Sequence, residues 1–470
     1  MRLQPLDRRP RRGGRLRTLL VLIVVALLGA GGVALLRTGA APAIDLEVGL
    51  PALGPKTPVK VVVGAESRGL ERVEVRVRQG DKTSQLYERD LVPAPPWAVW
   101  QGPSEPTVVE LVLDKGQLPD LRAEEATIEV LATGAGTSLL PAPTSSVART
   151  LPLRLRPPRL AVVSENVFVA QGGSEAVVYV VGPTTQRSGV RAGEHFFPGY
   201  PLPGGGQGDR FALFGVPYDL DDEQRVELVA EDDVGNVAAV PFVDRFTPRP
   251  FATDTIEVSE RFMQQVVPRI MAKTPELDDE GSLLANYVAI NSELRAKNAE
   301  TLIALSANTA PQFYWNRSFV QMPAKVVSAF ADRRTYLHQG RKVDQQDHLG
   351  FDLASVRKDA VPAANAGEVV YADYLGIYGN TVVIDHGYGL QSLYAHLSNI
   401  EVEPGERVER AQVIGRTGAT GLALGDHLHF TMLLHGLPVT PLEWWDDHWI
   451  QDRIALKLGD ALGYARGGRE

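Results

Sequence analysis

Two histidines stand one residue apart in "GDHLHFTM", residues 425–432, inside a run that otherwise reads as a buried strand. On a strand, residues i and i+2 point to the same face about 6.6 Å apart. His427 and His429 can therefore converge on one small object, and a metal ion or a water molecule has the right size. Alone, the pattern is weak, since two surface histidines or one hydrogen-bonded pair satisfy it as well. "HLGFDLA", residues 348–354, adds His348 and Asp352 four positions apart. A straight strand would separate them by about 13 Å, too far for one ion, so the chain must turn between them, with Gly350 as the permissive residue. Together the two clusters offer three ligands of histidine and carboxylate type with a fourth position left for water, the composition of a catalytic zinc centre. Cysteine is absent, which excludes a thiolate site and a disulfide framework. No H-E-x-x-H segment exists to provide a glutamate base, so a further histidine is needed, and His396 in "LYAHLS" is the natural candidate.

The elements around these residues are strands. "GEVVYA", "NTVVIDH", "LQSLYAHL" and "DHLHFTMLL" follow one another with glycines between them, and eight of the nine histidines lie after residue 337. Upstream, Leu283, Tyr287, Ile290 and Leu294 are spaced 4, 3 and 4, which lines one helix face. Thr255 to Lys273 reads as helix with a kink at Pro268, giving a helical connector over 252–310. Before it lie two sets of alternating stretches. "PVKVVV", "VEVRVR", "TVVELVL" and "TIEVLAT" belong to a first set over 44–156. "LAVVSENVFVA", "EAVVYVV" and "RVELVAEDDVGNVAAVPF" belong to a second over 157–247, whose last segment has the form of a closing hairpin. The expectation is two immunoglobulin-like β-sandwich domains joined stiffly at "RPPRL", serving as spacers. The fold class expected is mainly β, and 448–470 is left as a C-terminal tail.

The first 36 residues indicate a compartment. Residues 1–17 hold seven Arg against one Asp, and 18–36 carry no charge, a helix of about 28 Å against a hydrocarbon core of about 30 Å. A transmembrane anchor over 18–36 with a cytoplasmic basic tail over 1–17 sends the rest of the chain across the membrane. Ala41-Pro42-Ala43 resembles a signal-peptide cleavage site, but the apolar run exceeds the usual signal length. The tail contributes +6, so a net charge of −9 for the whole leaves −15 beyond residue 17. Such an acidic ectodomain repels phosphate backbones, and nucleic acid is excluded as a partner.

"HLGFD", "YGNTVVIDHGYGLQSLYAHLS", "RVERAQVIGRTGATG" and "GDHLHF" occur in the order and approximate spacing of the lysostaphin and LytM type zinc endopeptidases. The sequence resembles that family over about residues 322–442, roughly a quarter of the chain, and the domain is bounded at 322–447. The resemblance implies a C-terminal all-β LytM-type catalytic domain acting on peptidoglycan. Carried over position by position, it implies that His348, Asp352 and His429 hold Zn2+ and that His396 and His427 serve the attacking water and the transition state. Spacing alone does not say which histidine of the pair binds metal. Three positions depart from the family: Ala411 stands where glycine is common, Asp426 where proline is, and Thr431 where glutamate is. Asp426 either biases His427 toward its charged form or sits in solvent. His386 belongs to a hairpin by its Gly-Tyr-Gly neighbours, and His338, His435 and His448 receive no role. Tyr336 is a transition-state donor only if a variable loop aligns.

The implied activity is metal-assisted hydrolysis of peptide bonds in peptidoglycan stems or cross-links, by a single-pass protein of the bacterial cytoplasmic membrane facing the extracytoplasmic or periplasmic side. The alternative is an inactive regulator that activates another wall hydrolase. Cell-wall or division proteins are the partners expected for the β-sandwiches.

Overall fold

The computed structural model describes residues 13–66, 68–98, 100–101, 104–116 and 124–465. Residues 1–12 of the basic tail lie outside the described residues. Strands hold 43% of the chain and helices 19%, so the protein is mainly β. It divides into two compact units, one of residues 1–157 with 233–236 and one of 158–232 with 237–470.

The first unit begins with the helix Gly13–Leu36, which carries its apolar side chains exposed. Its length and composition suffice to cross a membrane. Two antiparallel sheets follow. Ala43–Val48, Lys56–Gly64 and Thr107–Asp114 form one; Lys82–Asp90, Leu70–Gln79, Glu125–Gly134 and Thr144–Pro152 form the other. Lys56–Gly64 alternates exposed and buried residues, and its Val59, Val61 and Val63 share a core with Val73, Val75, Ile128 and Val130 from the second sheet. Burying each such side chain is worth about 1.5–3 kcal/mol, and a one-residue slip of register would move the whole set to solvent.

The second unit starts with two four-stranded sheets. Tyr200–Pro201, Asp209–Gly215, Ser174–Val181 and Leu160–Val162 make the first; His195–Pro198, Thr185–Ala192, Val226–Asp232 and Val237–Pro241 make the second. The hairpin expected around "DDVGN" is the pair Val226–Asp232 and Val237–Pro241.

Two segments differ from the sequence expectation. Thr253–Glu257 is a strand, paired parallel with Asp332–His338, and helix begins only at Glu260, where the Ser259 hydroxyl caps the Phe262 N–H. A five-residue strand paired to a distant segment leaves no periodic signal of its own. Beyond it, Glu260–Met271 and the run Leu283–Ser306 are helical, the latter interrupted by a π turn at Ile290–Leu294. The face spaced 4, 3 and 4 is the buried one: Tyr287, Ile290 and Leu294 pack with Met263 and Tyr336. Residues 447–461, read as part of a tail, form helical turns whose Ile450, Ile454 and Leu458 enter the main core. Their spacing of four is the helical signal that the sequence reading left unused.

An eight-stranded sheet dominates the C-terminal half. Lys325–Ser328, Phe351–Ala354, Leu428–Leu434, Leu390–Leu397, Gly379–Gly387, Gly367–Leu375 and Arg407–Val408 lie in that order, with Leu437–Val439 also paired to Leu428–Leu434. Leu390–Leu397 and Leu428–Leu434 are buried at every position, polar Gln391, Ser392, His396, His429 and Thr431 included, as central strands of a sheet covered on both faces are.

Candidate metal centre

Asp352 and His429 are opposite one another on antiparallel strands, and Ala395 flanks His429 on its other side. His348 ends the neighbouring strand Arg341–His348, so the turn required between His348 and Asp352 is a change of strand. His348 Nε2 lies 2.9 Å from His429 Nδ1 and 3.0 Å from Asp352 Oδ1, and the last two atoms are 3.0 Å apart. Gly350 permits this for a reason other than the one the sequence suggests. Its φ is not in the left-handed region; instead a Cβ there would stand 2.5 Å from both His429 Cε1 and Thr431 Oγ1. The glycine makes room for an imidazole.

The outward nitrogens set the tautomers. His348 Nδ1 faces the Ala329 carbonyl at 2.9 Å, which can only accept, so that nitrogen carries the proton. Thr431 donates its hydroxyl to the Leu349 carbonyl at 2.8 Å, which leaves its oxygen to accept from His429 Nε2 at 3.0 Å. The glutamate common in the family at this position is thus replaced by a residue that still fixes the ring. His396 Nδ1 donates to Thr420 O and His427 Nδ1 to Gly425 O, both at 2.8 Å. The neutral imidazoles of His348, His429 and His396 then turn an unprotonated nitrogen inward. His348, His429 and Asp352 bring three acceptor atoms into mutual contact with no proton between them, a repulsive arrangement that a cation relieves. Ligand atoms around a tetrahedral ion with bonds of about 2.0–2.1 Å stand about 3.3–3.4 Å apart, so these three need open by only a few tenths of an ångström. The residues fit such an ion.

His427 and His396 stand just outside this triad. His427 Nε2 is 3.5 Å from Asp352 Oδ1, half an ångström farther than the His429 contact. The rings of His396 and His427 are 4.9 Å apart, and His396 is 5.8 Å from His429. His396 has φ +61°, a conformation that a residue with a side chain rarely adopts and that commonly marks a functional site. Burial holds the His396 imidazole well below its ordinary range, reinforced by the neighbouring His427 and His429. Burial likewise lowers His429 to about 4. Burial also opposes charge on His427, but its contact with Asp352 prevails and raises it. For Asp352, burial would raise the carboxyl, while the surrounding histidines hold it well below the usual carboxylate range.

Arg334 was not legible as a site residue. Its guanidinium donates to Asp352 Oδ2 at 2.9 Å and to Ser328 Oγ at 2.7 Å, tying down the carboxylate oxygen that faces away from the histidines. Strand alternation places Arg334 on the same face as Tyr336, which the sequence does single out. Tyr336 itself is buried against Tyr287 and lines the cleft.

The remaining candidates fall elsewhere. Asp426 accepts from the Thr417 hydroxyl at 2.6 Å and from the Lys358 N–H at 3.2 Å, so it staples a loop while staying half-exposed. His386 sits in the hairpin expected, bonded to Ala366 O and Ser392 Oγ, and burial lowers it to about 4. His338 bonds Val258 O, His435 stacks on Tyr200, and His448 is exposed. A cleft of about 450 Å³ opens over the triad, walled on its far side by Ile256, Phe262, Tyr287 and Arg295 from the segment before the catalytic strands.

A buried histidine and carboxylate triad beside two further imidazoles, gathered where the eight-stranded sheet meets the end of the strand Arg341–His348, makes a candidate metal centre. Residues 346–441, about a fifth of the chain, match Peptidase family M23, which places an M23 domain at the C-terminus. The DD-carboxypeptidase/endopeptidase Mpg of Neisseria meningitidis serogroup B is 39% identical over 95 residues, 20% of this chain and 22% of that protein. The peptidoglycan DD-endopeptidase ShyA of Vibrio cholerae is 36% identical over 131 residues, 27% of this chain and 30% of that protein. Stage II sporulation protein Q of Bacillus subtilis is 36% identical over 103 residues, 21% of this chain and 36% of that protein. Thus the chain matches between about a fifth and two fifths of these relatives' own lengths. Among solved structures, the catalytic domain of lysostaphin from Staphylococcus simulans is 25% identical with a TM-score of 0.23, covering 26% of this chain and 92% of that one.

Proposed function

We propose that the chain is a zinc-dependent endopeptidase of peptidoglycan, anchored in the bacterial cytoplasmic membrane through residues 18–36 with its catalytic domain on the extracytoplasmic side. The observation that carries this reading is the inward-facing set of acceptors on His348, Asp352 and His429, all within 3.0 Å of one another. Relatives named as peptidoglycan DD-endopeptidases support the substrate class. His348, Asp352 and His429 would hold zinc, which would supply Lewis acidity to a scissile carbonyl and to the attacking water. The work of this chain's own residues is to orient and to move protons. Arg334 and the Ala329 carbonyl orient Asp352 and His348. Thr431 orients His429. His396, held neutral by burial, accepts a proton from the attacking water, and His427, whose charged form Asp352 favours, gives one to the leaving amine. A regulator that only recruits another hydrolase needs none of these five side chains in register.

The test is digestion of isolated sacculi by the purified ectodomain, with zinc content and released fragments measured together. Fragments with newly exposed peptide ends at near-stoichiometric zinc are expected. Zinc-loaded protein that leaves sacculi intact would refute the enzymatic reading and return the chain to the regulator class.

A further inference from the structure

Two loops of the first unit close around the end of the apolar helix. Arg37, immediately after Gly13–Leu36, donates its guanidinium to Ala98 O at 2.7 Å and to Gln101 O at 3.3 Å. From the second loop, the Thr137 hydroxyl donates to Leu35 O at 2.7 Å. Arg68, itself buried, links the two loops by donating to Ala94 O at 2.7 Å and Gly136 O at 2.5 Å. Only residues 37–42 separate the helix from the first strand, so the tether is short as well as hydrogen-bonded. What these loops display is apolar. Trp97 and Trp100 are 62% and 72% exposed with ring centroids 5.7 Å apart, and Leu139 is 65% exposed.

A single exposed apolar residue needs no explanation, but two tryptophans and a leucine on loops bonded to the last turn of an apolar helix form a placed cluster. Leu35 and Leu36 end the apolar run, so the level of the cluster is the boundary between hydrocarbon and water. Tryptophan is enriched at that boundary, where the ring contacts lipid and the indole N–H stays hydrated. We propose that Trp97, Trp100 and Leu139 insert into the lipid headgroup region, so that the first β unit stands on the membrane surface instead of swinging on a linker. This rests on the reading of residues 18–36 as a membrane span.

The experiment reconstitutes the full chain in phosphatidylethanolamine and phosphatidylglycerol vesicles carrying brominated acyl chains, with the bromines placed just below the headgroups. Tryptophan emission is compared with that of Trp97→Phe/Trp100→Phe, and retention after alkaline carbonate is scored in parallel. Bromines should quench part of the wild-type emission and none of that part in the double variant, with both proteins retained and both equally active on sacculi. Retained protein with equal quenching in the two chains overturns the docking alone and leaves the tryptophans to a protein partner. Extraction by carbonate overturns the span, and the docking falls with it.

Discussion

Asp352 and His429 face each other directly across two antiparallel strands, Oδ1 to Nδ1 at 3.0 Å, so the pairing register of the central sheet brings together candidate ligands 77 residues apart in sequence. His348 arrives from the adjoining strand end to complete the contact. In the proposed set of three protein ligands none is dispensable. Asp352→Ala and His429→Ala should each lose both zinc and hydrolysis. Unchanged zinc stoichiometry in either variant, measured by atomic emission on the purified ectodomain, would remove that residue from the ligand set.

Arg334→Met tests the support behind the ligand. Removing the guanidinium frees Asp352 Oδ2 and unpins the carboxylate without touching a ligand. Supporting partners of this kind typically contribute 10- to 100-fold in metal affinity. Competition with a chelator should therefore show about that weakening, with the fold intact by circular dichroism. Wild-type affinity in this variant would mean that the strands alone orient Asp352.

Parts of this centre were legible in the sequence and parts were not, for physical reasons. The same-face relation of His427 and His429 follows from the two-residue strand period, and the pairing of His348 with Asp352 from their shared short segment. Arg334 escaped because its partner is contributed by a different strand, and nothing local to "DRRTYLH" marks one arginine above the other. Gly350 was noticed, but a turn residue and a residue that clears space for a ring look identical in sequence; only the 2.5 Å approach of His429 separates them. The strand Thr253–Glu257 was missed because its pairing partner is a distant segment, whereas the helical turns after Asp447 carried a spacing of four that went unread.

Ala411 has φ +69°, which accounts for the glycine common at this place in the family. A side chain in that conformation costs about 1 kcal/mol, so Ala411→Gly should stabilise the domain by roughly that amount. Chemical denaturation at fixed zinc occupancy reads the change. A lower midpoint would show that the methyl group's packing outweighs the backbone strain.

Glu443 supplies a pH dependence far from the metal. Burial raises it to about 7, against the Arg249 guanidinium at 2.7 Å and the Ser174 N–H at 2.6 Å, both of which favour the carboxylate. Because the folded pKa lies above the unfolded value of about 4.5, the contribution is complete below about pH 4.5 and is lost as pH rises through 7. The loss is on the order of 3 kcal/mol at most. Comparing Glu443→Gln with wild type, the wild-type protein should lose more stability between pH 5 and 8. Parallel stability profiles for the two would sink this assignment.

The strongest separation concerns His427 and His429, two positions apart, with His427 just before the strand Leu428–Leu434 and His429 within it. If His427 moves protons and does not bind metal, His427→Ala keeps near-stoichiometric zinc and loses about 10² to 10⁴ in turnover, the usual contribution of a positioned acid or base. His429→Ala loses the metal itself. The 3.5 Å separation of His427 Nε2 from Asp352 Oδ1, against 3.0 Å for His429 Nδ1, is the geometric basis for the split. Because damage to strand packing would affect the two variants alike, zinc content should distinguish them while activity does not. Loss of zinc from His427→Ala with retention in His429→Ala reverses the two roles. Equal loss in both gives the site four protein ligands and leaves no coordination position for the attacking water, which would exclude the hydrolytic mechanism in the form derived from this geometry.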